Sequence, residues 1–309
     1  LKKLYGDFIS QFNDVIVIDD GEKYKNIKTF EYIINELLKR KIERKDCIIA
    51  FGGGVVGDLA GFCASSVLRG VQLIQIPTTL LAMCDSSIGG KTGFNTKYGK
   101  NLIGSFYSAK KVFIDPTFLN TLNNYEFKCG MGEVLKYAFI EKSCKSDFDY
   151  DLISFFENLS KDELKSKMPY IIEACASLKA SVVRADEHEA NLRKVLNFAH
   201  TFAHAFETLS DYKNLSHGEA VAHGMKCAAK LALNLKKINF DYFTKIISLI
   251  DKFELTNNKL KFKKQDVIKV MYQDKKVNDG KINLLCPVAP AVVELFDNID
   301  LPSLEASLP

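Results

Sequence analysis

The sequence lacks any uninterrupted apolar run of the roughly 20 residues that a membrane-spanning helix needs, so we expect no membrane segment. It also lacks a strong charge of one sign. With a net charge of +4 and no basic patch with interleaved aromatic residues, nucleic acid is not an expected partner. Residues 1–5 contain neither a signal-peptide core nor an initiating methionine, so we expect the chain to begin inside a longer protein.

The eight cysteines include no Cys-x-x-Cys pair, which excludes the spacings of zinc fingers and dithiol redox motifs. Most of them lie among apolar neighbours, where a thiol packs as a small hydrophobic group. Unpaired cysteines suit a reducing compartment, and we expect a cytoplasmic protein. Any bound metal must then be held by histidine and carboxylate side chains.

A chain of 309 residues, with 47% hydrophobic and 26% charged residues, is long enough for two globular domains. Apolar runs at residues 15–18 and 47–51 predict buried parallel strands, and further strands are predicted at 71–76 and 112–115. A helix is predicted between the first two, over residues 29–40. This alternation predicts an α/β, Rossmann-like domain over residues 1–124.

Helical patterns follow one another from residue 125 onward, so a mostly α-helical domain is predicted over residues 125–309. The predicted helices are 131–142, 147–158, 162–184, 192–209, 218–236, 240–253 and 264–272, and a strand pair at 281–285 and 291–295 follows them.

The predicted helix over residues 192–209 carries a few polar residues in an otherwise mostly apolar sequence. Arg193, Asn197, His200 and His204 recur at i, i+4, i+7 and i+11, which is one stripe of an α-helix. Two of the five histidines in the chain lie on it. Buried imidazole and guanidinium groups need partners, so we expect the stripe to face a metal, an anion or a substrate. A core helix with two hydrogen-bonded histidines is the alternative.

A glycine-rich segment, Gly-Gly-Gly-Val-Val-Gly-Asp at residues 52–58, lies between a predicted strand and a predicted helix. Gly52, Gly54 and Gly57 satisfy G-x-G-x-x-G, whose backbone N–H groups can hold a pyrophosphate. A turn that needs glycine only for tight packing is the alternative. The acidic residue usual about 20 positions later is missing, so Asp20 is the candidate ribose partner and the fold is not the standard dinucleotide fold.

Thr78 and Thr79 precede a second segment rich in glycine and hydroxyl groups, residues 85–93, which we expect to form a loop. Lys91 lies there beside two glycines and a threonine. Such a lysine is often only a solvated charge. Its neighbours here favour an anion or a hydroxyl-bearing substrate.

Glu133 and Lys136 are three residues apart on a predicted helix, among apolar neighbours. A surface ion pair is one interpretation, but these neighbours favour a buried pair that needs a third partner. With His200 and with His217, which opens a later helix, Glu133 would complete a three-ligand zinc site with an open position. Spacing leaves the choice open: the alternatives are His204 or His223 for a histidine, and Glu207 or Glu219 for the carboxylate.

Taken together, these motifs resemble the 3-dehydroquinate synthases over nearly the whole chain. In that family one NAD and one divalent metal, usually zinc and in some cases cobalt, act on 3-deoxy-D-arabino-heptulosonate 7-phosphate in the shikimate pathway. The motifs that carry the resemblance lie at residues 20–25, 52–58, 69–71, 77–82, 85–93, 99–104, 132–137, 196–207, 217–222 and 274–277.

The resemblance implies a role for each matching residue. It implies Glu133, His200 and His217 as metal ligands. It implies NAD contacts from Asp20, Glu22, Lys25, Gly53, Gly54, Val55, Val56, Gly57, Asp58, Thr78, Thr79, Asp85, Lys91, Lys100, Phe118, Leu119, Asn120 and Thr121. It implies substrate and catalytic roles for Asp85, Lys91, Asn101, Lys136, Lys179, Arg193, Asn197, His204 and Lys276 (or Lys275), and for Arg69 supplied by the neighbouring subunit of a homodimer.

Two departures from the family accompany the resemblance. Ala199 and Ala203 stand where the family usually has glycine, and we expect both to leave the ligands unchanged. The family's first strands, which help to hold the adenine end of NAD, have no counterpart in this sequence.

Three other functions compete with this one. They are a different sugar phosphate cyclase, a metal-dependent polyol dehydrogenase of related fold and a non-catalytic NAD-binding protein. Lys179 and Arg193, which can hold a substrate carboxylate, favour dehydroquinate synthase over the other cyclases.

Overall fold

The computed structural model describes residues 1–12, 14–211, 215–257, 259–273, 277–278 and 281–309. The chain divides into two compact units, Leu1–Leu122 and Asn123–Pro309. No helix among the described residues combines the length and the apolar character needed to cross a membrane. An α/β unit followed by a mostly helical unit is the predicted fold class, and it is confirmed.

The first unit is built around a three-stranded parallel sheet. Its elements are α1 (Gly6–Ile9), α2 (Ile27–Lys39), β1 (Cys47–Gly52), α3 (Gly54–Ser66), β2 (Gln72–Pro77), β3 (Lys91–Thr96), β4 (Gly99–Phe106) and β5 (Lys111–Val112). The sheet order is β1-β2-β5, and the register pairs Cys47 with Gln72 and Gly52 with Pro77. The carboxyl ends of β1 and β2 therefore lie side by side, which is where ligands bind in open α/β sheets.

The predicted strand at residues 15–18 is wrong. These residues belong to no strand in the described part of the chain. Ile16 and Ile18 pack on a core cluster that contains Leu59 and Phe94, while Val15 and Val17 are exposed. The alternation of buried and exposed residues thus serves side-chain packing without a hydrogen-bonded neighbour.

The predicted loop over residues 85–93 is partly a hairpin. A π-helical turn at Ala82–Ser86 precedes β3, and Lys91 is the first residue of that strand, which pairs antiparallel with β4. Gly93 faces Gly104 across the hairpin. A methyl group on Gly93 would lie 2.3 Å from the Ile103 carbonyl oxygen, so these glycines permit close approach of the two strands.

The second unit is mostly helical. Its elements are α4 (Asn124–Ile140), α5 (Leu152–Asn158), α6 (Leu164–Ala185), α7 (His200–Leu209), α8 (His217–Asn234), α9 (Phe240–Lys252), α10 (Lys264–Gln273), β6 (Val277–Asn278), β7 (Lys281–Ile282), β8 (Leu284–Ala289), β9 (Val292–Phe296) and α11 (Leu301–Ser307). Helix α8 packs against both α4 and α7. The predicted final strand pair corresponds to β8 and β9, which are antiparallel.

The predicted continuous helix over residues 192–209 is also wrong. A 3₁₀-helix covers Leu192–Asn197, Phe198 is extended, and Ala199 has a left-handed backbone with φ of 69°. The break coincides with tight packing on α8, because a methyl group on Gly224 would lie 2.4 Å from the Ala199 carbonyl oxygen. The polar stripe is therefore divided between two elements.

All eight cysteines lie within the described residues, and all are free. Seven are buried and Cys47, on β1, is exposed. Burial raises the pKa of the thiols of Cys63, Cys144 and Cys227 to about 12. These thiols are packing groups, as their apolar neighbours in the sequence predict.

Candidate metal centre and nucleotide loop

Glu133 of α4, His200 of α7 and His217 of α8 converge within the second unit. One ligand atom from each lies within 4.8 Å of the other two. The Nε2 atoms of His200 and His217 are 3.4 and 3.3 Å from Oε1 of Glu133. Glu133, His200 and His217, which are widely separated in the sequence, therefore surround one small space.

Two glycines bring the first residue of α8 against α4. A methyl group on Gly132 would lie 2.3 Å from the Gly218 carbonyl oxygen, and one on Gly218 would lie 1.9 Å from the Cys129 carbonyl oxygen. The two backbones are thus in direct contact at this point. Because Glu133 and His217 are the immediate neighbours of these glycines, the close approach places the carboxylate beside the imidazole.

Glu133 and Lys136 form the buried ion pair that their apolar neighbours predict. Both side chains are about 1% exposed, and the Lys136 ammonium contacts the Glu133 carboxylate. Lys136 also donates a hydrogen bond of 2.9 Å to the Leu196 carbonyl oxygen. The expected third partner of the pair is present as the two imidazoles.

The charges of this cluster stabilise one another. Burial would raise the pKa of Glu133, but Lys136 and the imidazoles of His200 and His217 outweigh it and hold that pKa well below the usual value. Burial, with the nearby Lys136 ammonium, holds the pKa of His200 well below its usual value. The pKa of His217 is raised well above its usual value, because the carboxylates of Glu133 and Glu207 outweigh the effect of burial.

The donor set fits a divalent metal. Neither oxygen of Glu133 has a hydrogen bond of acceptable geometry among the described residues, although both are fully buried. His200 directs Nδ1 toward the Phe198 carbonyl oxygen at 3.0 Å, so its Nε2 lone pair is turned toward the carboxylate. The site thus consists of two imidazoles and one carboxylate whose hydrogen-bonding capacity is not filled. Two imidazoles and one carboxylate are the ligands of many catalytic zinc sites.

Of the side chains considered as alternative ligands, His204 and Glu207 contact the histidines of this group. His204 packs edge-on against the His200 ring, with centroids 5.6 Å apart. His223 packs against Phe206. Glu207 lies on the far side of the His217 ring, with Oε1 3.3 Å from Nδ1. Glu207 follows His200 by seven residues, or two helical turns, so the sequence could have indicated that both lie on the same face of α7.

The predicted substrate residues of the second unit are buried or half-buried. Arg193 is 1% exposed and donates to the Glu187 carbonyl oxygen at 2.5 Å, while its backbone N–H donates to Asp186. Asn197 donates to Glu189, a residue that the sequence analysis missed. Lys179 is buried on α6, which packs against the 3₁₀-helix that carries Arg193. The predicted Lys276, and its alternative Lys275, lie outside the described residues.

In the first unit the glycine-rich segment has the strand–turn–helix geometry predicted for it. Gly53 is the N-cap of α3, and as a glycine it offers no side chain to cap the first N–H groups of this helix. A methyl group on Gly53 would lie 2.8 Å from Cγ2 of Thr79. The backbone N–H of Thr78 donates to the Gly52 carbonyl oxygen at 3.0 Å. Free N–H groups at a helix N-terminus, with little room for side chains, suit a phosphate group.

Of the acidic and basic residues at 20–25 that were predicted for the cofactor, Lys25 contacts the first turns of α3. Lys25 is buried, forms an ion pair with Asp58 and donates to Asn101 at 2.5 Å. Glu22 accepts from Asn95 at 2.7 Å, and Asp20 is exposed.

The remaining predicted positions of the first unit are spread over its surface and turns. Phe118 packs on Phe51 in the 3₁₀-helix Pro116–Thr121, which also carries Leu119, Asn120 and Thr121. Val55 and Val56 lie in the first turn of α3, and Asp85 in the π-helical turn. Lys91 is exposed at the start of β3, Lys100 is half-buried on β4, and Arg69 is exposed with φ of 64°.

In fold the chain is similar to several solved enzymes, two of which match it over almost its whole length. It matches 2-epi-5-epi-valiolone synthase from Streptomyces hygroscopicus with a TM-score of 0.89 at 23% identity, covering 99% of this chain and 86% of that one. It matches 2-deoxy-scyllo-inosose synthase with a TM-score of 0.85 at 24% identity, covering 98% and 85% of the two chains. The chain therefore shares the fold of these two enzymes.

Sequence comparison identifies the family. Residues 15–129 match the 3-dehydroquinate synthase N-terminal model and residues 130–277 the C-terminal model. A 3-dehydroquinate synthase from Prochlorococcus marinus is 39% identical over 312 residues, covering 97% of this chain and 84% of its own length. The chain belongs to the 3-dehydroquinate synthase family, and the resemblance seen in the motifs is confirmed.

Proposed function

We propose that the protein converts 3-deoxy-D-arabino-heptulosonate 7-phosphate into 3-dehydroquinate and phosphate, with one divalent metal and with NAD that is recycled. The observation that carries the proposal is the convergence of Glu133, His200 and His217 beside the buried Lys136. Membership of the 3-dehydroquinate synthase family supports the choice of substrate.

The metal would be held by Glu133, His200 and His217. When bound, it supplies a Lewis acid that lowers the pKa of a substrate hydroxyl and polarises a ketone. The 2-epi-5-epi-valiolone synthase structure contains Zn²⁺ and the 2-deoxy-scyllo-inosose synthase structure contains Co²⁺, which supports zinc or cobalt here. Lys136 keeps the Glu133 carboxylate ionised, so the ligand is ready for a cation.

NAD would lie at the turn between β1 and α3, and it supplies a hydride acceptor that returns the hydride to the same molecule. The 2-epi-5-epi-valiolone synthase and 2-deoxy-scyllo-inosose synthase structures both contain NAD⁺, which supports this assignment. The uncapped N–H groups that follow Gly53 would bind the pyrophosphate. Thr78, Thr79 and Lys25 would position the rest of the cofactor around the carboxyl ends of β1 and β2.

The substrate carries a phosphate and a carboxylate, so several cations are needed around it. In the second unit Arg193 and Lys179 would bind these anionic groups, and both are held among buried neighbours. Asn197 and His204 would contact hydroxyl groups of the substrate. The family resemblance also implies substrate roles for Lys91 and Asn101 and for Lys276, which lies outside the described residues.

Phosphate release is the decisive measurement. The purified protein is given the heptulosonate phosphate with NAD in catalytic amount, with and without a metal chelator. We expect many phosphates released per NAD, and loss of release with the chelator that zinc restores. Consumption of one NAD per substrate would favour a polyol dehydrogenase. Binding of NAD without any turnover would favour a non-catalytic protein.

We also propose a homodimer in a reducing, cytoplasmic environment, and the eight free cysteines support that environment. In the dimer, Arg69 of one subunit would complete the site of the other. An Arg69→Ala chain and a Lys91→Ala chain, each inactive alone, should regain activity when mixed, because hybrid dimers contain one intact site. Mixed chains that form hybrids without regaining activity would exclude a shared site.

A further inference from the structure

Glu207 is a buried carboxylate with no role in the proposed reaction. It lies on α7 and its residue is 3% exposed. Its Oε1 atom is 3.3 Å from Nδ1 of His217, the ring nitrogen on the opposite side from Glu133. The imidazole of His217 thus lies between two carboxylates: Glu133 faces its Nε2 atom, and Glu207 faces its Nδ1 atom.

His200 provides an internal comparison. Its Nδ1 atom faces the Phe198 carbonyl oxygen at 3.0 Å, so a neutral backbone group fixes its ring. His217 lies at the first position of α8 and has a carboxylate side chain in the corresponding place. An acceptor behind a metal-binding imidazole fixes its tautomer and its orientation, and a charged acceptor also makes the ligand more basic.

We propose that Glu207 is a positioning residue for the metal centre. It accepts a hydrogen bond from the Nδ1–H group of His217. This hydrogen bond holds Nε2 of His217 toward the proposed metal position between Glu133 and His200. This inference rests on the proposed function, because it assumes that a divalent cation binds there. Glu207 would not contact the metal or the substrate, and it would act through His217 alone.

The test compares zinc affinity in variants of the full chain, measured by competition with a chromophoric chelator. Glu207→Met keeps most of the side-chain volume and removes the acceptor, and we expect zinc affinity to fall roughly 10- to 100-fold. Glu207→Gln keeps an oxygen acceptor and should restore most of that loss. The visible spectrum of the Co²⁺-substituted protein should change in the methionine variant and remain close to the original in the glutamine variant.

Glu141→Gln is the matched control. Glu141 is also a buried carboxylate, but it accepts backbone N–H groups from Tyr150, Asp151 and Leu152, away from the histidines. We expect this variant to keep the zinc affinity of the unaltered protein, whatever its effect on folding stability. Loss of zinc in the control as well would assign the effect to general loss of packing and contradict the proposal.

The outcomes separate the two proposals. An unaltered protein that binds no zinc contradicts the proposed function. Zinc binding that is lost in Glu133→Gln but unchanged in a folded Glu207→Met contradicts only the role of Glu207. Should circular dichroism show that Glu207→Met does not fold, Glu207→Asp takes its place. Its oxygen is withdrawn by one methylene, so unchanged zinc affinity and an unchanged cobalt spectrum would overturn the proposal.

Discussion

The two candidate sites are built in different ways. The proposed nucleotide turn of the first unit consists of consecutive residues after β1, and it would bind its ligand through backbone N–H groups. The metal centre of the second unit takes one side chain from each of α4, α7 and α8 and depends on buried charges. A backbone site should be sensitive to added volume. A side-chain site should be sensitive to removed charge.

The largest effect is expected at the metal centre. Glu133→Gln removes the charge that the imidazoles and Lys136 surround, and a neutral amide is a poor ligand for zinc. We expect zinc affinity to fall by more than ~100-fold and phosphate release to stop. Loss of a residue that only hydrogen-bonds a metal ligand already lowers metal affinity by up to ~100-fold, and loss of the ligand itself should cost more. NAD affinity should not change. Stoichiometric zinc in this variant would show that Glu133 is not a ligand.

A second change tests the charge balance of the same centre. Lys136→Met leaves Glu133 buried without its ammonium partner, which costs about 3–5 kcal/mol in the free energy of unfolding of a typical buried pair. Denaturant unfolding should show this loss with a chelator present and a smaller loss with zinc, because the cation replaces the missing charge.

The control for this variant is Lys226→Met, which breaks a more exposed pair with Asp251. Such pairs contribute about 0–1 kcal/mol, so a small effect that is equal with and without zinc is expected. If zinc made no difference to Lys136→Met, the ion pair and the metal position would be independent.

The nucleotide turn can be disturbed by one methyl group. Gly53→Ala places a Cβ atom 2.8 Å from Cγ2 of Thr79, and such overpacking costs about 1–3 kcal/mol. We expect NAD affinity, measured by calorimetry, to fall about tenfold, which corresponds to 1.4 kcal/mol, and zinc affinity to stay constant. Gly6→Ala in the same unit meets no atom within 4 Å and should leave both affinities unchanged. An equal loss of NAD affinity in both variants would contradict a specific role of Gly53 in NAD binding.

The smallest effect concerns the two alanines beside the histidines. Ala199 has φ of 69°, which glycine adopts without strain, so Ala199→Gly should stabilise the protein by roughly 1 kcal/mol. Ala203 lies inside α7, where glycine costs about 1 kcal/mol. Thermal unfolding should therefore shift in opposite directions in the two variants. Shifts of the same sign would contradict the left-handed backbone at Ala199.

Local features were predictable from the sequence. The apolar runs that form β1 and β2, the glycine turn between β1 and α3, and the pairing of Glu133 with Lys136 depend on neighbouring residues, and the structure contains all of them. Burial of the pair followed from its apolar neighbours alone. The partners of Glu133 could be proposed, but spacing left several histidines and carboxylates in competition.

Features that depend on distant packing were not predictable. The periodicity of Arg193, Asn197 and His200 fits one helix, but the chain breaks at Ala199 where its carbonyl group meets Gly224 of α8. The antiparallel pairing of β3 with β4 was missed because glycines suggest loops, whereas Gly93 and Gly104 allow two strands to approach closely.

The distribution of thiols has a practical consequence. Of the eight cysteines, all of them in the described part of the chain, Cys47 alone reaches solvent. A maleimide dye applied under native conditions should therefore modify β1 and spare the buried thiols, which it cannot reach. A single fluorophore could thus be attached to the first unit without any change to the sequence.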